Sequence, residues 1–220
     1  MLRSCSEKTR RPTAASVSGL AVLLAAGEFY PHEPIAAYAW PLLVQAGSLA
    51  ELAGNRLQLT TRGRAALTAQ PPVTIRALWR RWVSHAMIDE LTRIEAIKGQ
   101  RSANVLTSAK TRRQSVANAL GTCPAGEWVS LGDLFDRMRR GSLSPTIARN
   151  EGSLWRLYIS EARYGSLGYA GFHGWTLLEG RYTLAVLFEY AANADSPPRT
   201  QAPSPSKNAV MTPAVTSGTT

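Results

Sequence analysis

Arg80 and Arg81 stand between Trp79 and Trp82, so one short stretch carries two fixed positive charges and two indole rings. That combination suits a nucleic acid, because guanidinium groups neutralise phosphates and aromatic rings stack on any base. Other basic tracts fit the same chemistry. They are Arg56, then Arg62 and Arg64, then Arg76; Lys110, Arg112 and Arg113; and Arg137, Arg139 and Arg140. Each tract also fits a solvated face. The two tryptophans fit core or interface anchors better than they fit stacking rings.

Chemistry of other kinds has little to stand on. The chain has no GxxxxGK[ST] phosphate loop, no GxSxG elbow and no HExxH pair. Glu179 and Glu189 are ten residues apart, which on one helix separates them by about 15 Å, too far for an acid/base pair. The three histidines, His32, His85 and His173, are scattered, and nothing in the spacing of His173, Glu179 and Tyr169 demands a site. Cys5 and Cys123 form no CxxC or Cys/His pattern, so a zinc site is not expected. The glycine-dense "YGSLGYAG" lacks the strand–loop–helix context of a nucleotide site and reads as a tight loop with aromatics packed against backbone. The expectation is a chain with no catalytic residues, no metal and no cofactor.

Bulk properties agree with an anionic partner. The 220 residues carry a net charge of +10 and a pI near 10.2, which favours nucleic acid, or less often an acidic membrane face. The excess is not in a tail: residues 76–113 hold nine Lys/Arg against three Asp/Glu, whereas 114–192 are balanced at seven each. The N-terminus, "MLRSCSEKTRRPTAASVSGLAVLLAAGEF", has the basic start and apolar run of a secretory signal. Val17, Leu20, Ala21 and Leu24 also fall on one helical face, and a core helix in a cytoplasmic protein is the favoured reading. No stretch reaches the roughly 18 apolar residues of a membrane span.

The elements that would position these residues can be read from caps and breakers. Residues 1–11, including Cys5, read as a disordered arm. Thr13 or Ser16 caps a helix over about 13–26, ended by Gly27; "FYPHEP" is a turn. Pro41 predicts two short helices, about 33–39 and 41–46, with Gly47 as C-cap. "SLAEL" and "RLQLT" make a hairpin turned at Ala53-Gly54-Asn55. Thr60 caps a helix over about 61–69, and Pro71-Pro72 closes the unit. A long helix is expected over 74–98, with Asp89 and Arg93 as an i,i+4 pair and with the length to act as connector or dimer helix. "GQRSAN" is a hinge. A second unit then runs through helix 108–120, a strand at Val129, a capping box from Ser130 to Asp133, a helix "LGDLFDRMRR" and a loop-rich stretch over 141–174. It ends in an apolar helix over about 175–192, whose Leu184, Val186, Leu187, Phe188 and Tyr190 want cover. Residues 193–220 are rich in Pro, Ser, Thr and Ala and read as a disordered tail.

The stretch from Leu43 to Leu67, "LVQAGSLAELAGNRLQLTTRGRAAL", resembles winged-helix transcription regulators of the MarR and PadR type, in which a helix ending in glycine leads to a wing and then to a capped helix. The resemblance implies a mainly α fold with a small β-hairpin. On that plan 12–72 is a winged-helix-like domain, 73–105 a connecting helix and hinge, and 106–192 a second, incomplete winged-helix-like domain. "LYI…YGSLGY…W..LEGRY.LA.LFEYAA" is similar to parts of uncharacterised bacterial proteins with helical modules, which implies a bacterial cytoplasmic chain and no assigned activity. The implied partner is DNA, with transcriptional regulation as the process. The third helix of such a unit reads bases, yet here it is "PLLVQAG", with Gln45 as its one polar reader. Contact with the phosphate backbone is therefore expected rather than base readout. The alternative is a protein-interaction adaptor that dimerises through 74–98 or docks a partner on the 175–192 helix. The chain then reads as a shortened form of a longer protein, or as one whose exposed face is covered by that partner.

Overall fold

Five helices begin on a side chain that accepts the first free backbone N–H. Thr13 takes Ser16 N–H, Thr60 takes Gly63 N–H, Ser108 takes Thr111 N–H, Ser130 takes Asp133 N–H and Asn150 takes Ser153 N–H, all at 2.9–3.3 Å. These caps start α1 (Ala14–Ala21), α3 (Thr61–Ala66), α5 (Ala109–Gly121), α6 (Leu131–Arg140) and α7 (Glu151–Leu154). Helix α4 (Pro71–Ser84) begins on proline, which sets φ for a first helical turn and lacks an N–H that would go unpaired there. Helix α2 (Ile35–Ala46) follows Pro34 and is capped by the Glu28 carboxylate, which accepts from Ala36 N–H (2.7 Å) and Ala37 N–H (2.8 Å). The computed structural model describes residues 4–25, 27–28, 33–102, 104–160, 165–169 and 174–192, and the backbone of 209–211. His32, His173, most of the "FYPHEP" turn and most of the tail lie outside the described residues. The fold is mainly helical with small antiparallel two-stranded sheets.

The chain divides into two units, Met1–Ile88 with Leu187–Thr200, and Asp89–Val186 with Gln201–Thr220. In the first, β1 (Ala50–Ala53) and β2 (Arg56–Leu59) form a hairpin with Ala53 opposite Arg56, so Gly54-Asn55 is a two-residue turn. Gly54 has φ +59°, as the first central position of a primed turn requires. Thr60 both caps α3 and donates its hydroxyl to Ser48 O (2.8 Å), which binds the helix start to the strand before it. A Cβ at Gly63 would lie 1.9 Å from Leu49 O, so α3 can close on that backbone only with glycine there. The core of this unit is α2 against α4: Ala37, Leu43, Leu78 and Trp82 are buried, and Trp82 stacks on Tyr190 at 5.9 Å between centroids.

Several sequence expectations for this unit are overturned. Ser4 to Pro12 are not an arm: Cys5 donates its N–H to Asn55 O (2.7 Å) beside the hairpin, and its side chain is buried. Helix α1 stops at Ala21, and its buried residue is Ser16, whose hydroxyl donates to Ser4 O (2.8 Å). Pro41 does not split α2. Ala36, Ala37, Ala39, Leu42, Leu43 and Ala46 bury the helix on most sides, and this burial outweighs the roughly 3 kcal/mol that an interior proline costs. As a result two helices, not three, precede the hairpin among the described residues. Pro71-Pro72 opens α4 rather than closing the unit.

The long helix over 74–98 is also absent, and with it the dimer helix. Helix α4 ends at Ser84, whose hydroxyl turns back to Arg80 O and Arg81 O, and His85 is extended. A 3-10 turn (Glu90–Arg93) and strand β3 (Ile97–Lys98) follow. There Asp89 and Glu90 pair with arginines of α5, and Leu91 and Ile97 are buried.

In the second unit β3 pairs with β5 (Tyr158–Ile159), with buried Ile97 opposite Ile159 and exposed Lys98 opposite Tyr158. Val105–Thr107 runs beside Ile147–Arg149. Val116, Leu134, Met138, Ile147 and Tyr182 fill the core. The last helical run has wide π turns at Thr176–Gly180 and Ala185–Ala191 around α8 (Arg181–Leu184). Of the five apolar side chains that want cover, Val186, Leu187 and Tyr190 are buried within the chain, and Leu184 and Phe188 are half-buried. Strand β4 (Trp128–Ser130) pairs antiparallel with β6 (Ala209–Met211), a piece of the tail expected to be disordered.

Candidate nucleic-acid interface

The basic tracts separate into three environments. The first is buried. Adjacent Asp89 and Glu90 meet adjacent Arg112 and Arg113 one for one: Arg112 Nη2 donates to Asp89 Oδ1 (2.6 Å) and Arg113 Nε to Glu90 Oε1 (2.7 Å). Tyr182 donates its hydroxyl to Glu90 Oε2 (3.3 Å), and the Arg112 guanidinium lies over the Tyr182 ring at 5.3 Å. Arg112, Arg113 and Glu90 are fully buried. Burial pushes the Glu90 carboxyl above its usual range, against the pull of Arg113, and raises the Tyr182 hydroxyl as well. The expected phosphate contacts at Arg112 and Arg113 are therefore overturned: both side chains are inside the unit with carboxylates, and only Lys110 of that tract is exposed.

The second environment is the end of α6. Arg137, Arg139 and Arg140 sit in its last turn, where cations suit the helix dipole. Asp136 accepts from both Arg139 (2.8 Å) and Arg140 (3.5 Å), and Arg139 also lies over the Trp175 ring at 5.2 Å. Arg137 and Arg140 line an open groove of about 430 Å³ with Trp128, but Glu127 and Asp133 line it too, which offsets the positive charge.

The third environment is the first unit. Arg56 begins β2, Arg62 and Arg64 are in α3, and Arg76, Arg80 and Arg81 are on α4. Arg76 and Arg80 are four apart and share a helix face. All are exposed except the half-buried Arg81. No carboxylate among the described residues comes within 4.0 Å of any of the six. Their hydrogen bonds go to neutral groups: Arg64 to Leu59 O (2.8 Å), Arg76 to Pro72 O (3.3 Å) and Arg81 to Ser48 Oγ (2.9 Å). Residues 1–88 contain ten Lys/Arg against four Asp/Glu. Comparison with family models, with curated proteins and with solved structures finds no match to this chain.

Gln45, the expected polar reader, is buried, and its Nε2 donates to Pro41 O (2.8 Å) and Arg10 O (3.1 Å). Trp82 is an anchor, not a stacking surface: it is buried between Tyr190 and the edge-on ring of Trp79. Among the described residues no group of three or more His, Cys, Asp or Glu side chains could hold a metal ion. No helix there is long and apolar enough to cross a membrane. Sequence reasoning missed the exposed rings of Trp155, Tyr158 and Tyr169, which lie in the stretch read only as loop.

Glu179 is half-buried, and burial raises its carboxyl to about 7. A carboxyl raised in the folded state above its unfolded value of 4.5 binds more protons folded than unfolded between those two values. Stability is therefore lost as pH rises through that window and is not regained above it. Glu179→Gln is expected to raise the melting temperature at pH about 8 and to leave it unchanged at pH about 4. Equal shifts at both pH values would show that the carboxyl titrates normally.

Proposed function

We propose that the chain binds DNA through the phosphate backbone, with the first unit as the principal contact and little selection for sequence. The six arginines of that unit without carboxylate partners carry this reading. An unpaired exposed guanidinium can exchange water for phosphate without first breaking an ion pair, which gives strong salt dependence and no base preference. Burial of Gln45 supports the lack of sequence readout, because the Pro41–Ala46 half of α2 then has no exposed polar side chain for base edges. The hairpin followed by a capped helix supports a wing-like contact, with Arg56, Arg62 and Arg64 gripping the backbone. A role in transcription is one use of such binding.

Arg62 and Arg80 are the cleanest residues to remove, since both are exposed and neither makes a side-chain hydrogen bond among the described residues. The double variant Arg62→Ala, Arg80→Ala is expected to flatten the log–log salt slope for duplex DNA by about 2. An unchanged slope in fluorescence anisotropy would remove these side chains from the interface.

A protein-interaction adaptor is the second reading, favoured by Val22, Leu23, Leu67 and Val73, all exposed apolar side chains of the first unit. Self-association in light scattering with no DNA binding at low salt would select it.

A further inference from the structure

We infer that the second unit carries a stacking platform for unpaired bases, centred on Trp155 and Tyr169. This rests on the nucleic-acid reading and specifies a single strand as the ligand of this unit. Trp155 is 47% exposed, Tyr158 48% and Tyr169 81%, three large rings held in water by one short segment. The rings of Trp155 and Tyr169 meet edge to face, with centroids 4.7 Å apart. The segment is built to hold them. Gly168 lies flat on the indole: a Cβ there would come within 2.4–2.7 Å of three Trp155 ring atoms. Ser166 donates its hydroxyl to Trp155 O (3.1 Å) and accepts from Gly168 N–H (3.2 Å), and Leu167 N–H donates to Leu157 O (2.9 Å). Buried Leu157 and Leu167 anchor the loop from beneath. Flexible surface rings need no such fixing, whereas rings already ordered lose little entropy when a base stacks on them.

Charge decides the class of ligand. Lys98 is directly opposite Tyr158 across the β3–β5 ladder, so the two share its exposed face. Arg101, Arg149 and Arg156 are exposed nearby in the chain, and no carboxylate among the described residues lies within 4.0 Å of these four cations. Among the described residues, Glu95 and Glu151 are the exposed carboxylates of the same segments, two against these four cations. Exposed rings beside unpaired cations match single-stranded nucleic acid, whose bases offer π faces and whose phosphates offer charge. A duplex keeps its bases stacked inside and gains only from the charges.

The test uses the full chain and a labelled oligothymidylate of about 12 nucleotides, a length that known single-strand-binding domains can cover, alongside a labelled duplex. Trp155→Ala, Tyr169→Ala is expected to weaken oligothymidylate binding about tenfold or more and duplex binding less than about twofold, because the first unit is untouched. Gly168→Ala, which keeps both rings but displaces the indole, is expected to weaken the oligothymidylate alone. Equal losses on both probes, or no loss on the single strand, would overturn the platform while leaving backbone binding by the first unit intact. Absence of binding to both probes by the wild type would overturn both readings. If the double variant instead abolished self-association in light scattering with no change on oligothymidylate, the rings would be a protein contact and the platform would be wrong.

Discussion

Arg113→Met is expected to lower the stability of the second unit by about 3–5 kcal/mol, the usual cost of leaving one partner of a buried ion pair uncompensated. Methionine keeps most of the volume, so the loss reports charge rather than a cavity. Glu90 would then keep the hydrogen bond from Tyr182 with the Asp89 charge beside it. Two further results follow from the same geometry. The penalty should shrink as pH falls and the Glu90 carboxyl becomes neutral. The double variant Glu90→Gln, Arg113→Met should be more stable than Arg113→Met alone, since no charge is then stranded. Chemical denaturation monitored by circular dichroism checks all three. A change below about 1 kcal/mol for Arg113→Met would mean the side chain is solvated, and it would return to the set of phosphate contacts.

Trp82→Ala is expected to cost about 3–5 kcal/mol in the first unit, as for other large aromatic truncations in cores. The ring has no exposed surface, stacks on Tyr190 and takes the edge of Trp79 at 5.2 Å. Its removal opens a void where α4 meets the end of the last helical run. With two units in the chain, the loss should appear as an earlier transition of one part rather than a uniform shift. If Trp82 instead stacked on bases, the variant would keep its melting temperature and lose DNA affinity. Calorimetry together with anisotropy separates the two.

Local signals in the chain were legible because local physics decides them. Thr13, Thr60 and Ser130 cap helices as their hydroxyls and positions demand, and Gly54-Asn55 turns the hairpin. What misled was long-range. Pro41 ends helices in isolation, but α2 is packed on most sides. Asp89 was matched with Arg93 four residues on, whereas it pairs with Arg112 twenty-three residues away. No periodicity reveals that partner, and the apolar positions from Ile75 to Ile94 continue a helical pattern past the end of α4 at Ser84. Arg112 and Arg113 read as surface residues because an arginine pair at the start of a helix looks the same in sequence whether or not two carboxylates wait across the core. Trp155 and Tyr169 were missed for a related reason: the glycine that seats the indole was visible, but which ring it seats depends on the fold. At Gly168 the backbone packs against an aromatic ring, that of Trp155, and the Tyr169 ring faces water.

The sorting of basic residues is the claim on which the function rests: six arginines of the first unit with no carboxylate partner among the described residues, two arginines in the core of the second, and two at the end of α6 shared with one aspartate. The most direct test is the salt dependence of duplex DNA binding by the wild-type chain, followed by anisotropy at several salt concentrations. Six phosphate contacts give a log–log slope of about −5, the same for unrelated sequences. No binding at low salt, or a slope near zero, would contradict DNA binding through the first unit.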